Sequence, residues 1–386
     1  VAPYLVGFVV IGISLSIAGP ALDHLEGRLH TDSGGVAWVL TLQSLGYIIG
    51  SLLGGRMLDR GLGHRLWSAS IVLIAAAVIG AAVAGTLAGV AVMFSIIGLA
   101  SGAADVCGNT LVLWSRPEAA SVAMNGLHLC FALGAVTAPL IINRSLHWFD
   151  SIWAASLPIV AVGSWVIWRF ARTTSPPALH ESDHRHADGP SATPVLVAAF
   201  LFFTAYVALE AGFSGWIHKY TVDMGYGSDN TATAVIVTFW VGFAVGRVLA
   251  VVAADRIRPG AMVAGSMVAS VAASAVFVAA PGGGLSLFAI TFAFGLTTAP
   301  QFAGMINYIE NHRRLSGAAT SVFVLGAGVG GLVFPKVIGE LFDWRGEGTL
   351  PPTLLALAML TLGAAALVRL MVTRGDARSA SAADID

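Results

Sequence analysis

The chain has 386 residues, 56% hydrophobic and only 11% charged, with a mean hydropathy of +0.82. A water-soluble domain carries about 25% charged residues, so this composition excludes a soluble globule and predicts an integral membrane protein. A formal net charge of −1 gives nucleic acid no handle, and Cys107 and Cys130 lie in apolar runs and read as free thiols.

A hydrocarbon core of about 30 Å takes about 20 apolar residues of helix to cross. Reading between charged clusters predicts twelve spans, at about 1–21, 36–58, 66–86, 88–114, 120–142, 152–170, 194–217, 231–253, 261–280, 285–308, 316–339 and 351–371. The first has no basic flank or small-residue cleavage pattern and reads as a span rather than a signal peptide. One set of loops and tails holds Arg60, Arg65, Arg116, Arg169, Arg172, Arg185, Arg256, Arg258, Arg313, Arg314, Arg369, Arg374 and Arg378. The other holds only Arg28, Arg144, Lys219 and Arg345. This bias predicts a multi-pass protein of the inner (plasma) membrane with both termini in the cytoplasm.

Span two carries Gln43, ten residues in from Ser33. Span four carries Asp105, the single charged residue between Val90 and Trp114, with Asn109 one turn further on. An acid at mid-depth costs roughly 2.5–3.5 kcal/mol on insertion scales, so a function is expected of it. On span five His128 lies ten residues from Glu118, as Asp105 lies eleven from Arg116, and Asn125 sits nearly one turn before His128. At about 1.5 Å per residue both Asp105 and His128 are roughly 15–16 Å deep, and they are expected to share a hydrogen bond or a proton.

Between spans six and seven, "RTTSPPALHESDHRHADGPSATP" reads as a flexible cytoplasmic linker whose three histidines are solvated rather than metal-bound. Span seven places Glu210 nine residues from Lys219, in an aromatic stripe of Tyr206, Phe213 and Trp216. Span eight adds Phe239, Trp240 and, somewhat nearer the cytoplasm, Arg247. Span ten brings Gln301 to the same depth, nine residues from Glu310. The tail "RGDARSASAADID" reads as disordered.

The halves on either side of the linker resemble each other. "LGYIIGSLLGGRMLDR" (45–60) aligns without gaps with "VGFAVGRVLAVVAADR" (241–256), and "FALGAV" (131–136) echoes "FVLGAG" (323–328). Six spans per half make these parallel repeats, related by an axis along the membrane normal. Acids near a central cavity suit cation coupling: a carboxyl that carries H⁺, or a carboxylate with nearby oxygens that holds Na⁺, with Ser101, Asp105 and Asn109 recurring on one helical face. No nucleophile–base pair or metal cluster appears, so an enzyme and a resident cofactor are not expected.

"GGRMLDRGLGHR" (54–65) resembles the G-x-x-x-D-R-x-G-x-R/K signature between helices 2 and 3 of the major facilitator superfamily. The resemblance implies the major facilitator fold: an all-α integral membrane protein with 12 transmembrane helices in two parallel six-helix pseudo-repeats. It also implies that Asp59, Arg60, Arg65, Asp255 and Arg256 gate the cytoplasmic side. "ADVCGNTLVLW" (104–114), "NGLHLCFALGAVTAPLI" (125–141) and "YVALEAGFSGWIHKY" (206–220) resemble helices 4, 5 and 7 of the fucose/glucose/galactose permease group, in its sodium-dependent glucose transporter-like branch. Asp105, Asn109, His128, Pro139 and Glu210 carry that match. Proton-coupled fucose permeases also use an acid in helix 1, and here the first span has none before Asp23.

The expectation is therefore a six-helix bundle over 1–171, a cytoplasmic linker over 172–193, a second bundle over 194–372 and a disordered cytoplasmic tail over 373–386. The function expected is alternating-access symport of a small polar solute, a hexose or related sugar, with H⁺ or Na⁺, by a monomer in the lipid bilayer. Asp105, Asn109 and His128 are expected to couple the cation, and Gln43, Asn125, Glu210, Trp216, Trp240 and Gln301 to contact solute. The alternative on the same fold is a proton-driven exporter of lipophilic drugs, for which an apolar cavity would suffice.

Overall fold

The computed structural model describes residues 2–115, 120–176, 193–253, 256–312 and 317–383. Among them the regular structure is entirely helical, and twelve helical stretches are long and apolar enough to cross a membrane. The first is divided into α1 (Ala2–Leu15) and α2 (Ala18–Leu29). Pro20 has no N–H for the Ser16 carbonyl four residues back and its ring crowds it, which accounts for the break at Ser16–Ile17. A left-handed His30 ends α2, and Asp32 caps the next helix by accepting from the Gly35 N–H at 2.7 Å.

The remaining helices of the first half are α3 (Ser33–Asp59), α4 (Gly63–Val83), α5 (Leu87–Ser115), α6 (Ala120–Phe149) and α7 (Ser156–Phe170). The second half contains α8 (Thr193–Asp223), α9 (Asp229–Ala253), α10 (Pro259–Ala279), α11 (Leu285–Thr298), α12 (Gln301–Glu310), α13 (Gly317–Arg345) and α14 (Leu350–Ala383). Span ten is again two helices, α11 and α12, divided at Ala299–Pro300. The tail expected to be disordered from 373 instead continues α14 as far as Ala383, because its run of Ala, Arg and Ser contains no proline to stop a helix already begun.

Packing does not follow the order of the chain. α5 lies along α3 and α6 lies along α1, while the second half pairs α11 with α9 and α13 with α8. Glycines set these crossings. A Cβ on Gly98 of α5 would run into the Gln43 carbonyl of α3, and a Cβ on Gly295 of α11 would run into the Phe239 carbonyl of α9. Gln43 and Phe239 are 196 residues apart, the offset of the sequence repeat. The second echo needs a shift of one helical turn. Gly134 abuts Val9 and Ile13 of α1, and its counterpart against Thr204 and Ala208 of α8 is Gly330, not Gly326. Small residues recur here every four positions, so a short match slides by a turn unnoticed. The halves meet where α3 packs on α13, α6 on α9 and α2 on α8.

Candidate transport site

The α3–α5 crossing presents a chain of oxygen-bearing side chains. Tyr47 on α3 donates its hydroxyl to Asp105 Oδ2 at 2.6 Å, and Asn109 Nδ2 donates to Asp105 Oδ1 at 3.2 Å and to the Asp105 carbonyl at 3.0 Å. Charge-assisted bonds of this kind fix a carboxylate's orientation. The expected pairing of Asp105 with His128 is not formed. α5 turns its polar face to α3, and α6, which carries His128, packs against α1. His128 stands edge-on to Phe8, ring centres 6.4 Å apart, and within electrostatic reach of Arg247 across the interface between halves. Ser101, grouped with Asp105 by helical spacing, is instead buried against α1, its hydroxyl 2.9 Å from that of Ser14.

The wall contributed by the second half centres on Glu210 of α8 and Arg247 of α9. Both Glu210 and Tyr206, one turn earlier, lie within electrostatic reach of the Arg247 guanidinium. That guanidinium sits over the Phe243 ring at 4.8 Å. Among the described residues no ion pair ties Arg247, Glu210 or His128 to any partner within 4.0 Å. Trp240 packs against Phe131 of the other half at 6.3 Å, which places it at the seam between the walls.

Other expected solute contacts have different employment. Trp216 is fully buried, donates its indole N–H to the Pro335 carbonyl at 3.1 Å and packs against Phe342. Phe213 is stacked on Phe294 inside the second half, ring centres 4.3 Å apart. Thus Trp216 and Phe213 in the span-seven stripe are core. The two glutamines fasten the broken helices. Gln43 Nε2 donates to the Ser14 carbonyl in the last turn of α1 at 3.2 Å. Gln301 Nε2 donates to Ser270 Oγ at 2.8 Å and to the Thr297 carbonyl, in the last turn of α11, at 2.9 Å. An interrupted helix makes such partners valuable, since a buried carbonyl without one costs about 1–3 kcal/mol.

The side chains of Asn125 and Asp59, and all of Asp255, lie outside the described residues. Arg60, Arg65 and Arg256 are exposed at the end expected to face the cytoplasm. At the opposite end the halves are latched. Lys219 of α8, its side chain 5% exposed, reaches Asp23 at 3.2 Å and Glu26 at 2.9 Å on α2, and Asp223 at 2.7 Å on its own helix. His218 Nδ1 is 3.2 Å from Asp23. Asp343 of α13 accepts from the Ser33 and Gly34 N–H groups at the start of α3, at 3.0 and 2.5 Å. Removing one partner from such a buried cluster costs about 3–5 kcal/mol. The sequence reading did not single out Tyr47, and it gave Arg247 and the latch no role. Their signals were a tyrosine inside a Gly-x-x-x-Gly run and paired acids at the end of the first span.

The family model described as Major Facilitator Superfamily matches residues 4–335. The chain is 24% identical over 358 residues to sodium-dependent glucose transporter 1 of Xenopus laevis, spanning 85% of this chain and 73% of that protein. It is 21% identical over 440 residues to human major facilitator superfamily domain-containing protein 4A, spanning 88% and 85%. Its fold superposes on a crystal structure of a mutant of the nucleoside transporter NupG with a TM-score of 0.73, at 15% identity, covering 96% and 98% of the two chains.

Proposed function

The chain belongs to the Major Facilitator Superfamily, and from that premise we propose that it imports a hexose or related sugar by alternating access, in symport with H⁺ or Na⁺. It is a multi-pass membrane transporter of a small molecule, not an enzyme. The observation that carries the finer reading is the charged seam: His128 of one half faces Arg247 of the other, with Glu210 beside it and, among the described residues, no ion pair consuming any of them. Groups held in place yet free to bond are what a polyhydroxylated solute needs, and Trp240 and Phe131 supply ring faces beside them. Relatives named as sodium-dependent glucose transporters support a sugar and a sodium gradient.

Asp105, held by Tyr47 and Asn109, is the coupling carboxylate in this reading, and His128 belongs with the solute-facing groups. The outer latch of Lys219 with Asp23 and Glu26 closes one side of the site. Exposed Arg60, Arg65 and Arg256 suit a cytoplasmic gate, with Asp59 and Asp255 as its acids. The protein acts as a monomer in the inner membrane with both termini in the cytoplasm. Counterflow into proteoliposomes with a panel of sugars, under an imposed Na⁺ or H⁺ gradient, tests the reading. Saturable hexose exchange driven by one gradient is expected. Expulsion of a lipophilic dye with no sugar exchange would replace it with the drug-export alternative.

A further inference from the structure

The seam between the halves carries two basic groups that face each other without a bonded acid. Arg247 is half-buried inside the membrane-spanning length of α9, where a charge without a partner is costly. Among the described residues its guanidinium makes no hydrogen bond and has no carboxylate within 4.0 Å. One side of the group is covered by the buried Phe243 ring at 4.8 Å, which holds it in place and leaves its N–H edge free. From the other half, His128 of α6 lies within electrostatic reach of it. The two acids in these spans have partners of their own: Asp105 is bonded to Tyr47 and Asn109, and Glu210 has Tyr206 beside it one turn away.

We infer that the solute is a sugar acid of the hexuronate class, its carboxylate held by Arg247 and His128 and its hydroxyls turned to Glu210. This rests on the sugar reading above and narrows it to one substrate class. A neutral hexose would cover the guanidinium with hydroxyl groups and leave its charge unanswered in a medium of low dielectric. A carboxylate answers that charge and matches the planar fork with two parallel bonds. Glu210 decides between acids. It lies within electrostatic reach of Arg247, so a doubly charged sugar phosphate would be repelled twice over, and a single negative charge fits better. Arg247 and His128 belong to different halves, so a carboxylate between them also draws the halves together around the solute. The acidic rim at the outer mouth bears on how fast an anion arrives, not on which group holds it. Carried with one H⁺ or Na⁺, such a solute makes the cycle electroneutral.

The test is counterflow in proteoliposomes at neutral pH, with glucuronate and galacturonate set against glucose and galactose. The acids should half-saturate exchange at a concentration about tenfold or more below that of the neutral sugars, the least that a hydrogen bond to a charged group supplies. In Arg247→Gln that ratio should fall by about tenfold or more, while Arg247→Lys, which keeps the charge and loses the fork, should retain part of it. A ratio of two solutes in one preparation does not depend on how much of the protein is folded. Binding is read separately, as a rise in the melting temperature of the detergent-solubilised protein with glucuronate that Arg247→Gln loses. Neutral sugars exchanged as well as the acids, or an unaltered ratio in Arg247→Gln, would overturn the inference and leave the sugar reading standing. Exchange of neither kind would sink the sugar reading and this inference with it.

Discussion

The α3–α5 and α9–α11 crossings are two copies of one frame carrying different chemistry. In both, glycines let one helix press against the other's carbonyls, Gly98 on Gln43 and Gly295 on Phe239. Counting along each helix from those contacts, Tyr47 corresponds to Phe243, Ser51 to Arg247, Asp105 to Phe302 and Asn109 to Ile306. The first copy is a carboxylate among oxygens, and the second is an aromatic wall, with Phe302 against Phe203 and Tyr206, carrying a single guanidinium. Backbone contact is the duplicated part because any Cβ there collides. Side chains pointing away from the contact were free to diverge. In the proposed symport, the first copy suits a cation and the second a sugar.

The largest effect should follow from removing the charge that only the first copy has. Asp105→Asn is expected to keep solute exchange in counterflow but lose gradient-driven accumulation entirely, while Phe302→Leu retains both. Loss of exchange as well would place Asp105 against the solute. The shared frame should break alike on both sides. Gly98→Val and Gly295→Val each force a side chain into a carbonyl, at a cost of about 1–3 kcal/mol or more, read as a fall in melting temperature. Tolerance of one and not the other would show that the copies bear unequal load.

Exchanging equivalent residues probes the chemistry alone. Tyr47→Phe removes a hydrogen bond to a charged group worth about 1.5–3 kcal/mol and should weaken cation dependence of uptake by more than about tenfold. Phe243→Tyr, its mirror image, should leave that dependence where it was. The smallest effects belong to the amides at the two helix breaks. Gln43→Leu and Gln301→Leu each lose neutral hydrogen bonds, about 1 kcal/mol apiece, and should lower the melting temperature slightly while uptake continues. Abolished uptake in Gln301→Leu at wild-type stability would return that residue to the solute site.

Much of this architecture is legible in the sequence because it depends on local signals. Spans follow from apolar length, and Asp105 with Asn109 from a spacing of one turn on one helix. The family resemblance and its fold followed from a loop signature, and the match over residues 4–335 agrees with them. What could not be read was which helices touch. Asp105 and His128 share a depth on consecutive spans, yet their helices pack on α3 and α1 respectively, so depth alone paired them wrongly. Trp216 and Gln301 misled for another reason. A span inside a bundle is apolar on every side, and periodicity does not tell the face toward a cavity from the face toward another helix. Lys219 counted only as a topology marker, because its partners Asp23 and Glu26 are nearly two hundred residues away in the chain.

That lysine sets the electrical character of the mouth. One ammonium serves three carboxylates, two from α2 and one from α8. When the halves part on that side, Lys219 leaves with Asp223, and the rim of the first half keeps Asp23 and Glu26 without their counter-ion. Opening thus charges its own entrance negative, and a negative, low-dielectric funnel draws cations inward from solution. In the proposed symport, the movement that admits the solute also enriches the doorway in cations.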